Sequence, residues 1–217
     1  AVALNPDNGD AIGLLAVIAV TQRRGDEALE LGRRAVATSP SSAAAGIALS
    51  YAQQANFDLE GARETLRRTL EDNPDDGLVW ARLAEIELSL GYRDRALEAA
   101  ERAQETTPDL SLANIILGFA RLAQIDITGA KQAFEAAIAR ESANPKAWLG
   151  LGLARIREGD LAEGRQHIEV AVALTPNDSL LRSYLGKAYF EEKRDALAAE
   201  EFDLAKRLDP NDPTPHL

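Results

Sequence analysis

Proline recurs in this chain with a fixed phase. Pro6, Pro40, Pro74 and Pro108 stand 34 residues apart, Pro176 holds the same phase two intervals on, and Pro210 follows at 34. Ser142 fills the one slot without its proline, and Pro145 stands just beyond it. Proline cannot donate its N–H and clashes with the preceding turn, so it ends a helix. A helix-breaker at strict 34-residue intervals calls for a linear array of one small supersecondary unit. Starting three residues after each slot divides the chain into repeats 9–42, 43–76, 77–110, 111–144, 145–178 and 179–212. Positions below are counted 1 to 34 within a repeat.

Each repeat reads as two helices, roughly positions 1–14 and 18–31. Residues just after the proline slot can cap the first: Asp7 and Asn8, Ser41 and Ser42, Asp75 and Asp76, Asp109, Asn144, Asn177 and Asp178. Their side-chain oxygens accept from the free N–H groups of a helix start. Pro145 suits a first helical position. The break between helices is marked by Gly25, Asp58, Gly91, Asp126, Gly159–Asp160 and Arg194–Asp195. Position 7 is Leu in every repeat: Leu15, Leu49, Leu83, Leu117, Leu151 and Leu185. Small residues at position 8 (Gly152, for example) and position 20 (Gly164) let the two helices approach, and the leucine fills the space between them.

The chain resembles the tetratricopeptide-repeat family, whose pattern is W-x2-L-G, then A-x3-F, then A and P over 34 residues. The fifth repeat carries Trp148, Leu151, Gly152 and Pro176; the sixth carries Leu185, Gly186, Tyr189, Ala198, Phe202, Ala205 and Pro210. The resemblance implies an all-α, right-handed superhelical solenoid of antiparallel helix pairs, and a non-catalytic protein-interaction scaffold. Position 4 departs from the pattern at Gly46, Asn114 and Arg182, where weaker packing within the repeat is expected. One solenoid over 1–217 is expected. Residues 1–8, with Leu4 matching Leu174 and Leu208, read as the tail of a preceding repeat. Residues 213–217, with Pro213 and His216, read as the start of a seventh or an exit segment, as in a central piece of a longer protein.

Composition narrows the function classes. Lys and Arg number 24 against 35 Asp and Glu, for a net charge of −11. That sign repels nucleic acid and anionic membrane surfaces. The longest apolar run, 11–20, is about half a membrane span. With 0 Cys there are no disulfides and no thiolate chemistry. Only 2 His are present, and His167, four residues after Glu163, reads as a surface histidine rather than a ligand. Gly150 and Gly152 lack the third glycine and the strand of a dinucleotide site. Asn177-Asp178-Ser179 is a glycosylation sequon that capping already accounts for. The pairs Arg23–Arg24, Arg33–Arg34 and Arg67–Arg68 read as solvated faces. No catalytic constellation, metal site or cofactor is expected.

The resemblance further implies that positions 2, 5, 9 and 12 of the first helices line the concave groove. These are mostly apolar, with Asp10, Glu85, Lys146 and Lys187 the charged exceptions. The carboxylate-clamp members of the family use Lys at position 5 and Asn at position 9; neither slot holds that residue here. The expected surface comprises Ile47, Tyr51, Leu78, Glu85, Leu88, Leu112 and Ile115, then Phe119, Leu122, Leu149, Leu153, Ile156, Lys187 and Phe190. Phe119 is its candidate aromatic anchor, and Glu85 and Lys187 would orient a ligand by charge. The partner would be a protein segment, apolar or amphipathic and not acidic. The second repeat has 7 acidic against 3 basic residues and the third 7 against 4, so an acidic ligand is repelled there. Two alternatives remain at this point. The same side chains pack between neighbouring first helices, or the array is a structural spacer or self-assembly element whose groove or open ends are filled by the parent chain or another copy.

Overall fold

A computed structural model describes residues 8–211. Leu4, Pro6, Asp7, Pro213 and His216 lie outside them. The described residues form twelve α-helices. The first helices of the six repeats are α1 (Gly9–Thr21), α3 (Ala43–Ala55), α5 (Gly77–Ser89), α7 (Ser111–Ala123), α9 (Pro145–Glu158) and α11 (Ser179–Glu191). The second helices are α2 (Gly25–Thr38), α4 (Leu59–Asp72), α6 (Arg93–Thr106), α8 (Ile127–Arg140), α10 (Leu161–Leu174) and α12 (Asp195–Leu208). The architecture is all-α, built of antiparallel helix pairs. The phase survives Ser142: α8 stops at Arg140 and α9 starts at Pro145, with Asn144 Oδ1 accepting from the Lys146 N–H at 3.1 Å. Contacts divide the chain into two compact units, one ending at Ile116 and the other starting at Leu117, inside α7.

Caps start the helices. Asn8, Ser42, Asp76, Asn144 and Asp178 each accept from backbone N–H groups of the first helix that follows. Asp58, Asp126 and Asp160 do the same for second helices. The turn between the helices always passes through the left-handed region at position 15: Arg23, Phe57, Gly91, Ile125, Gly159 and Lys193 all have positive φ. Only two of these residues are glycine, so the turn is imposed by the packing of the pair rather than by residue preference. Ile125 is the costliest occupant, because a β-branched side chain crowds the backbone there.

Close approach within a pair follows from the small residues. A Cβ on Gly152 would stand 2.7 Å from the Gly164 carbonyl oxygen. In the second repeat a Cβ on Gly46 would collide with Thr69 Oγ1, so the unusual glycine at position 4 makes room for the unusual threonine at position 27. The other departures at position 4 are corrected by the structure. Trp80 Nε1 donates to the Pro74 carbonyl and Trp148 Nε1 to the Ser142 carbonyl, both at 2.8 Å. Arg182 Nε donates in the same way to Pro176 at 3.0 Å, and Asn114 Nδ2 to Pro108 at 3.4 Å. Both substitutes keep the donor that ties the helix start to the preceding turn.

Within the compact units each second helix also packs on the next first helix: α2 on α3 and α4 on α5, then α8 on α9 and α10 on α11. That contact covers the position-7 leucine. Leu151 is 4% exposed, whereas Leu15, at the same position in α1, is 39% exposed beside exposed Leu14 and Ile18. Leu151→Ala is therefore expected to cost about 2–5 kcal/mol. Leu15→Ala should cost about 1 kcal/mol. Urea unfolding of the two variants checks the inequality, and equal losses would contradict it. Ile125→Gly should raise stability by about 0.5–1 kcal/mol, since an exposed side chain is lost and backbone strain relieved. A lowered melting temperature would count against that account of position 15.

Candidate protein-binding surface

In the first compact unit α1, α3 and α5 lie side by side. Their first turns enclose a groove of about 490 Å³. Leu14, Val17, Ile47 and Leu78 form apolar walls, and Asp10 and Asp76 stand at its margin. Leu78 is exposed and Ile47 half-buried. Two turns further along the same helices the surface becomes polar. Arg82, 4% exposed, is the hub. Its Nε donates to Ser50 Oγ at 3.0 Å, Nη1 to Glu85 Oε2 at 2.9 Å and Nη2 to Gln54 Oε1 at 2.6 Å. Its guanidinium carbon sits 3.7 Å from the centre of the Tyr51 ring. Tyr51 and Glu85 thus belong to one buried charge cluster, and Glu85 has its cation inside the protein. Leu88 and Leu112 are half-buried, and Ile115 is fully buried and offers no surface.

In the second compact unit Leu149 is buried, and Leu153 and Ile156 are packed against the cluster that includes Leu149, Ile168 and Leu185. Phe119 is half-buried and meets Phe134 edge-on, with ring centres 5.0 Å apart at 74°. Phe134 is fully buried, and a Cβ on Gly118 would come 2.6 Å from its ring. Phe119 is accordingly a packing residue with one free edge. Leu122 is half-buried, Lys187 Nζ lies 5.6 Å from the Tyr184 ring centre, and Phe190 is 62% exposed.

Some sequence readings need correction. His167 is not a surface residue: its side chain is largely covered and its ring lies 5.6 Å from that of Trp148. Arg67 is not simply solvated, because it reaches the buried Glu87 at 3.2 Å. Arg82 stands at position 6, outside the groove positions 2, 5, 9 and 12. The available signal was an isolated arginine in a slot otherwise filled by Leu14, Ala48, Ile116, Gly150 and Tyr184. Among the described residues no group of three or more His, Asp or Glu could hold a metal ion, and no helix is long and apolar enough to cross a membrane.

The chain matches the family described as tetratricopeptide repeat over residues 19–86, 117–179 and 176–213. It belongs to the tetratricopeptide-repeat family. It is a protein-interaction scaffold of that family. No curated protein matches it. Among solved structures, a chain of the APC/C hetero-tetramer Cut9–Hcn1 aligns with a TM-score of 0.83 at 15% identity, over 99% of this chain. This chain spans 43% of the length of that one. PilF of Pseudomonas aeruginosa aligns at 0.71 and 20% identity, covering 97% of this chain and 96% of that one. PilW, a type IV pilus biogenesis factor, aligns at 0.75 and 15% identity, covering 96% of each. At such identities the likeness is one of fold.

The charge cluster makes a pH prediction. Burial first, and then the Glu85 carboxylate, hold the Tyr51 phenol above its ordinary value of 10.0, against the lowering pull of Arg82. The folded chain then keeps this proton more tightly than the unfolded chain. The resulting stability is complete below about pH 10 and is lost as pH rises through the folded-state value. Tyr189, raised by burial and by its hydrogen bond to Glu169, adds to the same loss. Denaturant unfolding at pH 9 and pH 11 should show the decline, and Tyr51→Phe should reduce it. An unchanged decline in that variant would contradict the assignment.

Proposed function

We propose that this tetratricopeptide-repeat scaffold binds an apolar or amphipathic, non-acidic segment of another protein in the groove formed by α1, α3 and α5. The observation that carries the reading is the pairing of apolar walls (Leu14, Val17, Ile47 and Leu78) with acidic margins (Asp10 and Asp76). An amphipathic helix places apolar anchors at i, i+3 or i+4 and i+7 into such a groove. Basic residues flanking those anchors meet the aspartates, and acidic ones are repelled. In the second compact unit exposed Phe190 and half-buried Leu153 and Ile156 supply further apolar surface on first helices. A chain of the Cut9–Hcn1 hetero-tetramer shares the fold, which accords with a scaffold. Random helical peptides displayed on phage and selected on the protein provide the test. Enriched sequences should carry the amphipathic spacing with basic or neutral flanks. Binding should fall at least about tenfold in Leu78→Asp while the melting temperature stays near that of the parent. Acidic winners, or peptides that bind Leu78→Asp equally well, would overturn the reading.

A second reading has its own observation. The position-7 leucine, buried in the other five repeats, is open on α1 beside Leu14 and Ile18. That face suits stacking of a further helix, as solenoid repeats do on one another. Light scattering over a concentration series separates the two, since groove binding of a foreign segment leaves the mass of the free protein constant.

A further inference from the structure

A second cleft of the first compact unit lies between α4, α5 and α6, with a volume of about 310 Å³. Leu70, Trp80 and Leu83 supply apolar walls, and Glu87 and Glu98 supply two carboxylates. Glu87 is 1% exposed. Its Oε1 accepts from Arg67 Nη2 at 3.2 Å, and its Oε2 has no hydrogen-bond partner. An acceptor buried in this way is expensive, and more so when it carries charge. The Arg67 side chain is itself nearly half-exposed and shares its charge with water.

The second compact unit contains the corresponding cleft, between α8, α9 and α10, with the charges reversed. Arg155 takes the place of Glu87, Glu135 that of Arg67 and Glu163 that of Arg95. There the central charge has more counter-charges: Arg155 has Glu158 and Glu163 at 3.4 Å and Glu135 at 3.8 Å, although its buried Nε has no hydrogen-bond partner. Glu87 has one cation where Arg155 has three anions. Arg95 does not make up the difference, because its guanidinium lies over the Tyr92 ring at 4.8 Å.

We propose that the α4–α5–α6 cleft receives a basic side chain, lysine or arginine, from a protein partner. The aliphatic stem packs on Leu70, Leu83 and Trp80, and the cationic head donates to Glu87 Oε2 with Glu98 at the rim. Charge complementarity selects this occupant. Within the cleft Glu87 and Glu98 balance Arg67 and Arg95, so the surroundings decide the sign. The second repeat carries 7 acidic and 3 basic residues and the third 7 and 4, and both are net negative. A long basic side chain is also the type that buries an apolar stem while its head stays hydrogen-bonded. The site goes beyond the groove reading and stands or falls separately, since it shares no residue with that groove.

The test follows the Trp80 indole N–H resonance of the whole 217-residue protein, distinguished from that of Trp148 with a Trp148→Phe variant. The probes are acetyl-Ala-Lys-Ala-amide, its arginine counterpart and the same peptide with an acetylated lysine. The cationic peptides should shift the Trp80 resonance saturably, with an affinity in the millimolar range, about 4 kcal/mol. The acetylated peptide should bind at least about fivefold more weakly, the loss of a charge-assisted hydrogen bond. Glu87→Gln should abolish the shift, and Glu163→Gln, in the other cleft, should leave it unchanged. If Glu87→Gln unfolds early, the comparison of the two lysine peptides on the parent protein decides alone. No saturable shift, an equal response to the acetylated peptide or an undiminished response in folded Glu87→Gln would overturn the proposal. So would binding that emerges only in Arg95→Gln, which would show that Arg95 occupies the cleft in solution.

Discussion

Everything in this array depends on the contact between a second helix and the first helix of the next repeat. A helix pair alone cannot cover its own leucine at position 7. Within the compact units Leu49, Leu83, Leu151 and Leu185 are buried against the preceding second helix, while Leu15 on α1 stays partly open. Stability is accordingly a sum over neighbouring repeats rather than the property of one central core. Within each compact unit that contact recurs from repeat to repeat, and the helices keep their phase where proline is replaced by Ser142.

The same constraint divides each first helix into parts that must be uniform and parts that are free to differ. Position 7 is uniform, and position 5 is largely committed to packing, as buried Ile115, Leu149 and Ser183 show. Function is then left to residues that break the repeat pattern. Arg82 gathers Ser50, Gln54, Glu85 and Tyr51 at a position otherwise free of charge. Glu87 and Arg155 put opposite charges at one repeat position, Glu87 paired with Arg67 of α4 and Arg155 with Glu135 of α8 and Glu163 of α10. A scaffold of identical repeats would have no address along its length. These polar groups make the repeats inequivalent, and Arg82 is tolerable in a buried setting because hydrogen bonds and an ion pair surround it.

The apolar surface follows similar logic. Early in the array, small residues such as Gly13, Ala44 and Ala48 leave room between first helices, and a groove opens there. In the second compact unit Phe119 meets Phe134 edge-on, and half-buried Leu153 and Ile156 pack against the core.

Sequence alone determined the helix pairs, their phase, the caps and the buried leucines. These depend on local spacing, capping chemistry and a period repeated often enough to average out exceptions. Position 4 shows the limit of reading residue types without geometry: Arg182 and Asn114 look like departures, yet they reproduce the tryptophan's hydrogen bond to the preceding turn. The left-handed turn at position 15 was hidden because Ile125 and Phe57 occupy it as well as glycine does. Which apolar side chains face solvent, whether Glu85 is free or held by Arg82, and whether His167 lies on the surface or against Trp148 were decided only by tertiary structure. The physical reason is the same in each case. Periodicity specifies the helix face on which a side chain stands, whereas exposure and pairing depend on what meets it from other helices, as when Ser50 and Gln54 of α3 hold Arg82 beside Glu85 and Trp148 of α9 meets His167 of α10.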